Sequence, residues 1–144
     1  MFSMSLTIPD IQLYNNFVSP LHCQDLVKLG FSLKTMHAWK KYYEGYILLT
    51  EAFDPDGYYS TSYAAVTNIN GVPLIPAFTI KDCENELPDY ILSRNLHTYY
   101  IKLKQFDTVP PVEDVRLPDA LAILLKGSIT LGVIDIIKKY ANHE

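Results

Sequence analysis

A chain of 144 residues carries 12 Lys and Arg against 16 Asp and Glu, a net charge of −4, with 49% of its residues apolar and 19% charged. Such a chain buries roughly two-thirds of its unfolded surface, enough for a real core, which excludes intrinsic disorder. The acidic balance argues against a protein held mainly by phosphate contacts.

Residues 1–18 show no period and are expected to form a loosely ordered N-terminal segment, with Asn15-Asn16 in a loop. A helix over 20–29 follows. Ser19 stands as its cap, Pro20 fits the first helical position, and Leu21, Leu26, Val27 and Leu29 give an apolar stripe. Gly30 suits the left-handed position after the last turn, with Phe31 folding back. Ser32 to Thr35 starts a short second helix. From Met36 to Thr50, aromatic and branched residues favour two strands around a Glu44-Gly45 turn. Phe53 to Gly57 and Asn70-Gly71 read as turns, and Tyr58 to Asn68 as a strand.

Thr79 opens a helix in a shortened capping box with Asp82, and Ile80, Cys83, Leu87 and Ile91 continue it at helical spacing, kinked at Pro88. His97 to Leu103 alternates as a strand, Tyr99, Ile101 and Leu103 on one face and Tyr100, Lys102 and Lys104 on the other. Pro110-Pro111 connects. The last helix starts at Leu117-Pro118-Asp119 and is apolar around nearly its whole circumference, so it is buried against a sheet or a partner. Gly132 stops it, and Val133 to Tyr140 adds a strand or more helix. The apolar run from Ala120 to Ile134 is about 15 residues with Lys126 inside, too short to span a membrane.

Three blocks occur together: Leu26-Val27-Lys28-Leu29-Gly30-Phe31-Ser32-Leu33-Lys34-Thr35-Met36; Ile75-Pro76-Ala77-Phe78-Thr79-Ile80 with Glu86-Leu87-Pro88; and Leu117-Pro118-Asp119-Ala120-Leu121 with Gly132-Val133-Ile134. In order and spacing they resemble a group of small, uncharacterised proteins carried by phages and mobile elements of gut bacteria. The chain departs from that group at Phe78, where Trp is common, and at Thr130-Leu131-Gly132, where a polar residue usually precedes the glycine. The resemblance implies an intracellular α+β domain. It assigns no activity and no catalytic residue.

Chemistry-bearing residues are few. A nucleophilic site would need Cys23 beside His22, or Cys83 with His97 and Asp82. Cys83 falls on an apolar stripe, which predicts an inert buried thiol, and the side chains of the adjacent His22 and Cys23 diverge on their helix. The two cysteines lie too far apart and are too few for a disulfide framework, so reduced thiols are expected. His22, Cys23, His37 and His97 show no metal-ligand spacing, and Asp54-Pro55-Asp56-Gly57 lacks the distal Glu of a calcium loop. Asp82, Glu84, Glu86 and Asp89 read as a solvated helix face. Lys126-Gly127-Ser128 lacks the upstream glycine of a phosphate loop.

Two features stand above background. Lys28, Lys34, Lys40 and Lys41 are interleaved with His37, Trp39, Tyr42 and Tyr43, the composition of a single-stranded nucleic-acid surface. The chain also holds 11 tyrosines, several in pairs such as Tyr58-Tyr59 and Tyr99-Tyr100. In a strand each pair sends one ring into the core and presents the other outward for protein contacts.

The expectation is therefore a single α+β domain over 1–144, a small, mainly antiparallel sheet carrying two or three helices on one side. Its expected function is a non-enzymatic protein-binding or self-associating module of a mobile element, contacting an unidentified protein or a second copy through the apolar 118–134 helix or a tyrosine-rich sheet face. Lys34, Trp39, Lys40, Tyr42, Tyr43, Tyr58, Tyr59 and Tyr100 form the expected interaction surface. No cofactor, metal or membrane contact is expected. The N-terminus lacks a basic start and the chain lacks glycosylation sites, which points to the cytoplasm. The alternative is a nucleic-acid accessory role for residues 28–46.

Overall fold

The computed structural model describes residues 15–31, 35, 37–42, 44–49, 68–69 and 72–135. Within them lie helices α1 (Pro20–Lys28), α2 (Ile80–Glu84) and α3 (Leu117–Thr130), and strands β1 (Ala38–Tyr42), β2 (Gly45–Leu49), β3 (Asn68–Ile69), β4 (Val72–Pro76), β5 (Tyr90–Arg94), β6 (Tyr99–Leu103) and β7 (Val112–Asp114). This is an α+β fold. Its strands form two antiparallel sheets, one ordered β2-β1-β4-β3 and one ordered β5-β6-β7.

Both long helices end as their glycines dictate. Phe31 N–H donates to Leu26 O (3.0 Å) and Gly30 N–H to Val27 O (3.0 Å), the paired bonds of a Schellman cap, with Gly30 at φ 100°. The same pair closes α3: Val133 N–H to Ser128 O (3.0 Å), Gly132 N–H to Ile129 O (3.1 Å), Gly132 at φ 79°. The expected capping box is present at α2, where Asp82 N–H donates to Thr79 Oγ1 (3.2 Å) and Thr79 N–H to Asp82 Oδ2 (2.9 Å).

The helix expected to run on through Leu87 and Ile91 stops at Glu84. Pro88 cannot continue it, the chain turns over 85–89, and Ile91 lies in β5 instead. Strand β4 forms although it holds Pro73 and Pro76, residues that sheets usually exclude. The register explains both. Ala77 N–H donates to His37 O (3.1 Å), so His37–Ala77 and Trp39–Ile75 are the bonded pairs. Pro76 lies opposite Ala38 between them, where β1 asks for no N–H. Pro73 stands one step beyond Lys40–Leu74, where the β1–β4 ladder ends. The β1–β2 hairpin pairs Tyr42 with Gly45 and so closes over positions 43–44, one residue before the expected turn. The β3–β4 pair Ile69–Val72 brackets Asn70-Gly71, the expected turn.

Helix α3 packs against α1, α2, β6 and β7 at once, while α1 also packs against β4. That central position is why an almost wholly apolar helix is stable here. Ala120, Leu121, Ala122, Leu124 and Leu125 are fully buried, each leucine worth about 1.5–3 kcal/mol of transfer from water. Most of the apolar circumference of α3 is thus turned into the core of its own chain, while Leu131, beyond its last turn, is 51% exposed. Phe17 and Val18 are buried too. Val18 N–H donates to Phe78 O (2.9 Å) and Ile80 N–H to Asn16 O (3.1 Å), so the expected loose segment does not extend over residues 16–18. On β6, Ile101 and Leu103 are buried and Tyr99 packs on the core, the face expected from alternation. The expected turn at 53–57, the Tyr58–Thr67 stretch, residues 32–34 and residues 136–140 lie outside the described residues.

Candidate functional site

The expected interaction surface divides on inspection. Trp39 does not belong to it. Its side chain is 3% exposed and its Nε1–H donates to Val18 O (3.0 Å), tying β1 to the entry of α1. A buried indole brings a large apolar area into the core, and its one polar atom finds a carbonyl. Lys40 and Lys41 are consecutive on β1 and so point to opposite faces. Lys41 Nζ lies 5.2 Å from the Tyr46 ring centre. These two lysines build no common basic face. Tyr100 sits on β6 between Ser93 and Glu113 of the flanking strands, on the face away from the core. The backbone of Tyr42 is in β1; its side chain, with Lys34, Tyr43, Tyr58 and Tyr59, lies outside the described residues.

The nucleophile candidates are accounted for by the core. Cys23 and Cys83 are both free and buried. Burial pushes the Cys23 thiol up to about 12 and raises Cys83 well above its ordinary value, with the neighbouring Cys23 adding to the effect. Cys23 Sγ–H points at Val18 O (3.4 Å). His22 is engaged by Lys126, whose Nζ is 2.8 Å from Nδ1 and 3.1 Å from Asp25 Oδ2. Lys126 thus reaches off the buried α3 to the surface of α1, and its hydrogen bond lowers the Asp25 carboxyl from its ordinary value. His37 packs on the Phe17 ring at 4.8 Å, and burial lowers its pKa. His97 is exposed on the β5–β6 turn, where Asn95 Oδ1 accepts from His97 N–H (3.2 Å) and Thr98 N–H (3.0 Å). Asp82 is spent on its capping box, and Glu84 accepts from the Tyr90 hydroxyl. Burial, then the Glu84 carboxylate, raises the Tyr90 pKa. Ser128 donates to Leu124 O (2.8 Å) within α3, so Lys126-Gly127-Ser128 is helix, not a phosphate loop. Among the described residues no group of three His, Cys, Asp or Glu is placed to hold a metal ion, and no helix is long and apolar enough to cross a membrane.

One buried polar constellation was invisible in the sequence. Asp119, 5% exposed, accepts from Ser19 N–H (2.8 Å) and Ser19 Oγ (2.7 Å). Arg116 donates to Asp119 Oδ2 (2.9 Å), Ser19 Oγ (2.8 Å) and Phe17 O (2.6 Å). Ser19 therefore does not cap α1 with its side chain, as expected, but ties the start of α1 to the start of α3. Its groups saturate one another, so it reads as a structural clasp. Ser19 and Asp119 stand 100 residues apart, beyond any local signal.

Among the described residues, an exposed apolar edge lies on the second sheet. Strand β5 is one of its two end strands. Four of its five residues are exposed, Ile91 by 44% and Leu92 by 43%, and Leu96 on the following turn by 87%. The bonds Lys104 N–H to Asp89 O (3.0 Å) and Asn95 N–H to Thr98 O (3.1 Å) fix the phase of the strand. Odd-numbered residues 89 to 95 turn their backbone groups toward β6; Tyr90, Leu92 and Arg94 turn theirs outward. Edge strands are usually blunted by charged side chains, proline or a bulge; Tyr90-Ile91-Leu92-Ser93-Arg94 has no proline and no bulge, and its one charge, Arg94, stands at its end. Comparison with protein-family models, with curated proteins and with solved structures finds no match for this chain.

Proposed function

We propose that the protein is a binding module that works through protein–protein contact, with the β5 edge as its contact surface. The observation that carries this reading is the run of outward backbone groups at Tyr90, Leu92 and Arg94 beside exposed Ile91, Leu92 and Leu96, among described residues that pair nothing with them. Such an edge gains both main-chain hydrogen bonds and apolar burial when a strand is added to it. Tyr100, on the outward face of the adjacent strand, extends the surface. The buried, protonated thiols and the engaged His22 favour contact over nucleophilic chemistry. The opposed Lys40 and Lys41 disfavour the nucleic-acid alternative.

The test is retention on a tagged chain, expressed in its native host together with an untagged copy. A stoichiometric companion, whether another protein or the untagged copy, is expected on the wild type and is lost from Leu92→Lys. No companion, or one that Leu92→Lys retains, overturns the reading.

A further inference from the structure

Resting on that reading, we infer that the occupant of the β5 edge is the β5 edge of a second copy, paired antiparallel about a two-fold axis at Leu92. The outward groups of the strand favour this centre. A two-fold can pass through a bonded pair, here at Leu92, or through an unbonded one, at Ile91 or Ser93, but only the axis at Leu92 pairs Tyr90, Leu92 and Arg94 all within the strand. Leu92 turns its backbone groups outward; Ile91 and Ser93 turn theirs toward β6. In this register Leu92 meets Leu92, and Tyr90 of each copy meets Arg94 of the other. Each of these three residues then donates once and accepts once across the seam, so every outward group of the strand is used.

The side chains fit the same register. Tyr90, Leu92 and Arg94 share one face. Arg94 of the second copy arrives at the Tyr90 ring, whose hydroxyl is held by Glu84, so a guanidinium meets an aromatic face and a carboxylate together. Arg94 already stacks in this manner at home, its guanidinium carbon 4.8 Å from the Tyr99 ring centre. On the opposite face Ile91 meets Ser93. No like charges are opposed anywhere along the seam, and the two three-stranded sheets become one of six strands.

Sedimentation of the full chain from about 1 μM to about 1 mM, a range spanning weak and moderate dimers, tests the pairing. A monomer–dimer equilibrium is expected in the wild type. Leu92→Lys, at an exposed site outside the core, weakens it at least about tenfold with an unchanged unfolding transition. Arg94→Glu weakens it, and adding Glu84→Arg to that variant restores it, because the charges have exchanged places; recovery in the double variant excludes simple misfolding. A dimer indifferent to both Leu92→Lys and Arg94→Glu overturns the β5 seam. A chain that stays monomeric throughout overturns the second copy as occupant, while a foreign companion lost from Leu92→Lys in the retention experiment would still uphold the contact surface.

Discussion

Asp119 shows how a single residue binds distant parts of this chain. Its carboxylate takes both hydrogens offered by Ser19 and one from Arg116, while Arg116 secures Phe17 O. Removing the carboxylate takes the charged acceptor from the partly buried Arg116 guanidinium and the acceptor of the Ser19 backbone N–H. Asp119→Ala is expected to lower stability by about 2–4 kcal/mol in urea unfolding, and Ser19→Ala, which keeps the Arg116–Asp119 pair, by about 1 kcal/mol. Equal effects would mean that the clasp is carried by Ser19 alone. The two thiols act in a different way. Their folded pKa values lie above the unfolded value, so the native state keeps protons that the unfolded chain gives up. The stability they contribute is complete below pH 9.0 and declines above it, for Cys23 until about 12, by up to about 1.4 kcal/mol per pH unit for each thiol. The difference between wild type and a Cys23→Ala, Cys83→Ala variant in urea midpoints across that range isolates this slope; parallel curves would contradict it.

At the scale of elements, glycine position decides the sign of a substitution. Gly132 sits at φ 79° with nothing near a new Cβ, so Gly132→Ala carries a purely conformational penalty and should destabilise by about 1 kcal/mol. Gly45 also has open space but no positive φ, and lies in β2. Gly45→Ala should therefore stabilise by about 0.4–1 kcal/mol, by restricting the unfolded chain. Thermal melts of the pair read the two signs directly. These caps were legible because they are local: Gly30, Gly132, Thr79 and Asp82 announce helix ends within a few residues. The β6 faces were legible from alternation. The β5 strand was not. Ile80, Cys83, Leu87 and Ile91 fit helical spacing by coincidence, since only the first two belong to α2, and an exposed edge strand has no buried face to impose alternation. Strand β4 was hidden by prolines that only the pairing register renders harmless. Trp39 reads as surface in the sequence because composition cannot say which strand face meets the core.

At the scale of the molecule, the described residues form one core gathered around α3, which meets α1, α2 and strands β6 and β7. Most of the helix whose sequence invites self-association is thereby turned into the core, and among the described residues nothing pairs with the outer edge of β5, on the far side of β6 from β7. The direct measurement of that edge is amide hydrogen exchange, residue by residue, in dilute and concentrated protein. Ile91 and Ser93, bonded to β6, should be protected at both concentrations. Tyr90, Leu92 and Arg94 should exchange freely when dilute and become protected as the concentration rises. Free exchange of those three amides at every concentration would contradict the pairing of two copies at this edge, and their protection already in dilute monomer would contradict the open edge itself.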